Sequence, residues 1–247
     1  MTGRGHGVRE LTEKLDALIG TGRWDEAEKL LLDARDRARE RRDEALTLSL
    51  CSELMGFYRM CGRESGFRSA MEEAMPLLAK ARLDRRSRGT ILINAATGLA
   101  AFRRAEEAMP LYREAEAIFH SVLRPGDPLL AALYNNMSAA LRALGDLAGA
   151  ERYLLRAEQN FRETPRHPDL ATTRVNLAQL YALEDPAGDR ARSALDRAWE
   201  VFDDPETVWD GYYAHTALKC AGAFEELGQS DRAAELRERA ELIYEGT

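Results

Sequence analysis

The stretch Asp127–Ala157 reads DPLLAALYNNMSAALRALGDLAGAERYLLRA. Apolar residues recur every three or four positions on both sides of a break at Gly145-Asp146, which spells two amphipathic helices joined by a short turn. Neither helix can bury its apolar stripe alone, so a hairpin of this kind is stable only when stacked on copies of itself. The copies are present along the chain. Ala27, Phe67, Ala108, Ala150, Ala191 and Ala233 each follow a turn by a few residues, at intervals of 40, 41, 42, 41 and 42. A further alanine stands seven positions on, at Ala34, Ala74, Ala115, Ala157, Ala198 and Ala240. Two small residues two turns apart let a neighbouring helix come close. A large residue precedes each turn (Leu18, Tyr58, Leu99, Leu141, Tyr181, Phe224) and is placed to fill the space between paired helices.

Six hairpins follow. The first spans about Val8 to Arg41, with Trp24 read as a core residue at the mouth of its second helix. The second spans Asp43 to about Ala81, where Phe67 in place of alanine predicts wider packing. The third spans Asp84 to His120, with Arg103-Arg104 in its turn and a mild kink expected at Pro110. The last three open at Asp127-Pro128, His167-Pro168 and Asp204-Pro205, where proline suits a first helical turn and an aspartate can cap it. Gly22, Gly62, Gly145 and Gly228 mark turns that need a left-handed residue. The final helix, ELRERAELIYE, keeps Leu236, Ala240 and Ile243 on one face and is polar outside.

Composition narrows the function. Net charge is −7, which disfavours nucleic acid as a partner. Charged residues interrupt every apolar run, so no membrane span is predicted, and the N-terminus lacks the apolar core of a secretory signal. Cys51, Cys61 and Cys220 form no paired framework; Cys51 and Cys220 read as buried thiols, Cys61 lies at a helix end, and a cytoplasmic location is expected. The histidines (His6, His120, His167, His215) have no ligand partner at helical spacing, and neither a phosphate-cradling glycine loop nor a nucleophile elbow occurs. No cofactor, no metal and no enzymatic activity are expected.

The sequence ALYNNMSAALRALGDLAGAERYLLRA resembles the tetratricopeptide repeat, and the interval near 41 together with HPDLATTRVNLAQLY (His167–Tyr181) looks more like the longer kinesin-light-chain subtype. The resemblance implies an all-α, right-handed α-solenoid of about six hairpins over residues 8–247, behind a loose glycine-bearing N-terminus at residues 1–7. It also implies an inner wall lined by the first helix of each hairpin, and a binding rather than catalytic role. In repeats of this type an asparagine two residues before the small residue of the first helix faces the inner groove. Here these are Asn94, Asn136 and Asn176, with Glu13, Glu53 and Lys219 at the equivalent positions elsewhere.

Two roles stay open for the asparagines. An amide can pair with the backbone of an extended peptide whatever its side chains, or it can bond the adjacent helix and set the stacking. Residues three and six further on share their face: Thr97 and Ala100, Ala139 and Arg142, Gln179 and Ala182. Arg59 and Arg142 can hold a carboxylate or phosphate bidentately. Tyr212 and Tyr213 are candidate contacts beside Trp209, which reads as sealing the last hairpin; both tyrosines rarely fit one buried face. The function expected is a scaffold that takes a protein or peptide in its groove. A peptide- or anion-sensing module, or an adaptor that self-associates through its C-terminal hairpin, is the alternative.

Overall fold

The computed structural model describes residues 3–246 apart from Glu163, Arg166 and Ala187, and side chains from Leu11 onward. The described residues form twelve helices and no strand. The chain divides into two compact units, Met1–Phe119 and His120–Thr247. The first contains α1 (Gly3–Gly20), α2 (Trp24–Glu40), α3 (Glu44–Met60), α4 (Glu64–Lys80), α5 (Arg85–Ala101) and most of α6 (Ala105–Val122). The second contains α7 (Pro128–Ala143), α8 (Leu147–Asn160), α9 (Pro168–Ala182), α10 (Asp189–Asp203), α11 (Gly211–Glu226) and α12 (Ser230–Glu245). The N-terminal residues read as loose from the sequence divide here: Met1 and Thr2 lie outside the described residues, and α1 starts at Gly3.

The repeat spacing is realised as stacking. Within each unit a first helix packs on its own second helix and on the first helix of the next hairpin: α3 on α4 and α5, α7 on α8 and α9, α9 on α10 and α11. The alanines marking the interval are all buried, each exposing at most 9% of its surface. Side chains limited to a methyl group let helix axes approach, and the burial is then shared between neighbours.

The turns follow from backbone chemistry. A helix end leaves its last carbonyls without partners. Here the residue after the left-handed position donates back to the carbonyl of the large landmark residue: Arg23 to Leu18, Arg63 to Tyr58, Arg104 to Leu99, Asp146 to Leu141 and Gln229 to Phe224, all between 2.7 and 3.0 Å. The landmark residue thus packs with its side chain and closes the cap with its backbone. Gly22, Gly62, Gly145 and Gly228 take the positive φ; in the third hairpin Arg103 takes it, at +61°. A side chain there is sterically costly.

Three readings of the sequence change. Phe67 does not widen its surroundings. A Cβ built on Gly98 of α5 would stand 1.9 Å from the Phe67 ring, so the missing side chain of Gly98 makes the room that Phe67 fills. Trp24 is not core: it is 37% exposed, because as the first residue of α2 it overhangs the stack and leans on Phe57 with ring centroids 6.2 Å apart. Asp204-Pro205 does not open a helix. The Asp204 carboxylate accepts from Glu206 N (2.8 Å) and its carbonyl from Thr207 N (2.9 Å), which closes a turn, and α11 begins at Gly211 under a cap from Asp210. The other two proline starts hold, capped by Asp127 and by the imidazole of His167. Helix α6 runs on through Pro110. Cys51 and Cys220 are buried, and burial pushes their thiols up, to about 12 and about 11.

Gly98→Ala is expected to cost roughly 1–3 kcal/mol by overpacking. In a Phe67→Ala background the same change should become neutral or gain up to about 1 kcal/mol from helix propensity. Urea denaturation of the four variants measures the sign change, and a cost independent of residue 67 would contradict the contact. Arg103→Gly should stabilise by about 0.5–1 kcal/mol, read as a rise in Tm, by relieving the left-handed arginine.

Candidate functional site

Asn135, Ser138, Ala139 and Arg142 of α7, Leu154 of α8, and Asn176, Gln179 and Leu180 of α9 line one cleft in the second unit. Its volume is about 40 Å³, enough for a water or the tip of one side chain and far below the several hundred Å³ of a pocket that encloses a small molecule. Leu154, Ser138 and Leu180 are buried in its floor, while Arg142 is exposed at its rim. The face thus presents amides, a hydroxyl, a methyl group and a guanidinium to whatever lies across it. That set suits an extended chain, whose amides need donors and acceptors at intervals.

The asparagines are arranged by an inter-repeat rule. Asn94 Nδ2 donates to Ser52 Oγ of α3 at 2.8 Å, 42 residues back; Asn176 Nδ2 donates to Asn135 Oδ1 at 2.7 Å, 41 residues back. Asn135 Nδ2 in turn donates to Ala131 O and Thr173 Oγ1, both at 2.9 Å. Two of the three predicted asparagines therefore hold successive first helices in register, the stacking role left open by the sequence. Each does so through one amide donor, and Asn176 also lines the cleft. Asn136 is half-buried on the same helix as Asn135.

Ser52 and Asn135 were missed from sequence. Each stands one residue before the asparagine-equivalent position of its hairpin, where the other hairpins carry Thr12, Ile93, Val175 and Leu218. A polar residue there, followed one interval later by an asparagine, is the readable signal for the bond.

The remaining candidates separate. Gln179 lines the cleft and Nε2 lies 3.5 Å from Glu226 Oε2. In the first unit Thr97 Oγ1 accepts from the Tyr112 hydroxyl at 3.1 Å, and burial pushes that phenol up to about 12 against the Thr97 bond and the Arg59 charge. Arg59 is exposed at the end of α3, and Lys219 is exposed on α11. Tyr212 is half-exposed, edge-on to His167 with centroids 5.8 Å apart; burial and then Asp169 hold its phenol above the usual range. Tyr213 is corrected from candidate contact to core. It is fully buried, stacked on Trp209 at 5.4 Å, and its hydroxyl donates to Phe202 O and accepts from Arg239. Adjacent helical residues point about 100° apart, so burying one tyrosine exposes the other. Among the described residues no group of three or more His, Cys, Asp or Glu side chains is placed to hold a metal ion, and no helix is long and apolar enough to cross a membrane.

Residues 129–203, which hold this cleft, match the tetratricopeptide repeat family model. This segment carries tetratricopeptide repeats. Solved structures share the repeat fold: BtubC (BKLC) from P. vanneervenii is 19% identical over 90% of both chains with a TM-score of 0.60. A putative kinesin light chain of nearly identical TPR-like repeats from Podosopora anserina is 20% identical over 86% of this chain and 97% of that one, with a TM-score of 0.56. A Rap protein complexed with Competence and Sporulation Factor is 17% identical over 94% of this chain and 73% of that one, with a TM-score of 0.63. No curated protein matches the sequence. At these identities the likeness shows the fold.

The Asn135–Asn176 bond should carry a coupling of about 0.5–1.5 kcal/mol in a double-mutant cycle to alanine. Additive single variants in urea denaturation would remove it.

Proposed function

We propose that the chain is a scaffold that binds a protein segment or peptide, and that the α7–α9 face of the second unit is where an extended stretch lies. The observation that carries this is the convergence of Asn135, Arg142, Asn176 and Gln179 on one cleft too small to enclose a ligand but open to a chain passing over it. Amides without net charge contact a peptide backbone irrespective of sequence, and the Arg142 guanidinium adds a place for a carboxylate. Support also comes from fold neighbours: a Rap protein of this fold was solved holding Competence and Sporulation Factor. Lys219 on α11 is proposed as a flanking contact of this face, and Asn94, Thr97 and Arg59 are proposed as contacts of the same kind within the first unit, taken by itself. Tyr212 is proposed with them as an exposed aromatic edge.

The stacking bonds set a condition on the test. Asn176→Ala removes both a register bond and a cleft amide, so it cannot separate the two roles. Arg142→Ala and Gln179→Ala leave the asparagine bonds in place. Each should weaken capture of a peptide selected from a displayed library by about tenfold or more, equivalent to roughly 1.4 kcal/mol, with Tm unchanged within about two degrees. Selected peptides that bind equally well to both variants would sink the assignment of this face.

A further inference from the structure

The loops that join hairpins in the first unit carry charge that the fold does not use. Residues 37–44 read RARERRDE and residues 80–88 read KARLDRRSR, nine cations against four carboxylates. Packing brings both segments to one end of the unit. Helices joined by short loops run antiparallel, α3 packs on α2, α4 and α5, and Glu73 of α4 reaches Arg39 and Arg35 of α2 at 3.3 and 3.6 Å. The C-terminal ends of α2 and α4 therefore point the same way. Glu73 lies two turns before Lys80, so the two clusters are offset by about 10 Å along the helix axis. Some of these charges are committed. Arg39 is bridged to Glu73 and Asp36, Arg88 to the Leu78 carbonyl and Glu114, and Asp43 and Asp84 cap α3 and α5. Arg85 and Arg86 have partners of their own. The side chains of Arg37, Arg41, Arg42, Lys80 and Arg82 are exposed and have no hydrogen bond or ion pair among the described residues. The carboxylates left equally free on the two segments are Glu40 and Glu44, so five free cations stand against two. Cations in a last helical turn complement the helix dipole, which accounts for Arg37 and Lys80. It does not account for Arg42, which is held at a φ of +54° where Gly22 and Gly62 serve in the turns of the same unit. A strained arginine whose guanidinium bonds nothing within the fold points to a use outside it.

We infer that this end of the first unit is a docking surface for an acidic protein segment, whose aspartates or glutamates pair with the free guanidiniums. Charge complementarity selects the occupant. Four of the five free cations are arginines, whose planar forks take a carboxylate bidentately. No large apolar side chain is exposed on the two segments, so the surface offers nothing to insert into lipid and no ring on which a nucleobase could stack. Glu40 and Glu44 stand among the cations and repel the closely spaced phosphates of a nucleic acid, whereas a protein segment can place its carboxylates to avoid them. The surface lies in the first unit and does not depend on the α7–α9 face, and the test keeps the two apart.

The probes are fluorescein-labelled dodecapeptides of glutamate, glutamine or lysine alternating with serine, read by anisotropy against the full chain at low ionic strength. The glutamate probe should bind about tenfold or more tighter than the glutamine one, the lysine probe should not bind, and added salt should weaken the first. The double variants Arg41→Ser with Arg42→Gly, and Lys80→Ser with Arg82→Ser, should each cost about tenfold. The first of them should melt no lower than the parent chain, because glycine relieves position 42; a fall in its Tm would make these arginines structural. Arg103→Gly removes one left-handed arginine at the other end of α5 and should leave binding unchanged, as should Arg142→Ala. Equal binding of the glutamate and glutamine probes, no binding by the glutamate probe, full binding to either double variant, that fall in Tm, or loss in the Arg103 or Arg142 variant would each overturn the inference. Tighter binding of an oligothymidylate or of phosphatidylserine vesicles than of the glutamate probe would give the surface to phosphates and overturn it. Light scattering that shows a dimer abolished by either double variant would assign it to a second copy and overturn it as well.

Discussion

Close approach of helices at buried alanines is the constraint on which each unit depends. A hairpin of two sixteen-residue helices has too little core to stand alone. Its stability comes from the faces it shares, and those faces meet only where side chains end at a methyl group. Volume is therefore conserved locally rather than residue by residue. Where Phe67 takes an alanine's place, Gly98 gives up its side chain; Gly66 does the same for Tyr58 and Gly89 for Phe119, each with a built Cβ under 3.0 Å from the ring. Core packing tolerates such exchanges when total volume is kept.

Stacking brings polar groups inside, and they are satisfied by two devices. The turn cap returns a backbone donor to the carbonyl of the residue that also fills the hairpin, so one position does steric and polar work together. Between hairpins, side-chain amides bridge first helices at Asn94–Ser52 and Asn176–Asn135. A buried amide without a partner costs on the order of 1–3 kcal/mol, which makes these pairs selective for register.

The same amides tie architecture to the proposed recognition face. Asn176 stands at the boundary of both, holding α9 to α7 while lining the cleft that the two helices share. These bonds fix the lining of the cleft, and Arg142 at its rim is exposed. The loop between α10 and α11 differs in kind. Its anchoring bonds run to the backbone of the hairpin rather than across repeats.

Much of this was written in the chain. The interval of about 41 residues, the paired alanines, the turn glycines and the proline starts at Pro128 and Pro168 determine helical hairpins and their stacking, because these are local demands of sterics and capping. Asn94, Asn136 and Asn176 were recognisable by position. Which role an amide serves was not, since an asparagine bonded to Ser52 and one facing solvent look alike in sequence, and the partner lies more than forty residues away. Nor did the sequence decide between Tyr212 and Tyr213, place Trp24 outside the core, or reveal that Gly98 makes room for Phe67. Each of these depends on what the neighbouring helix presents, and that is settled only when the helices pack.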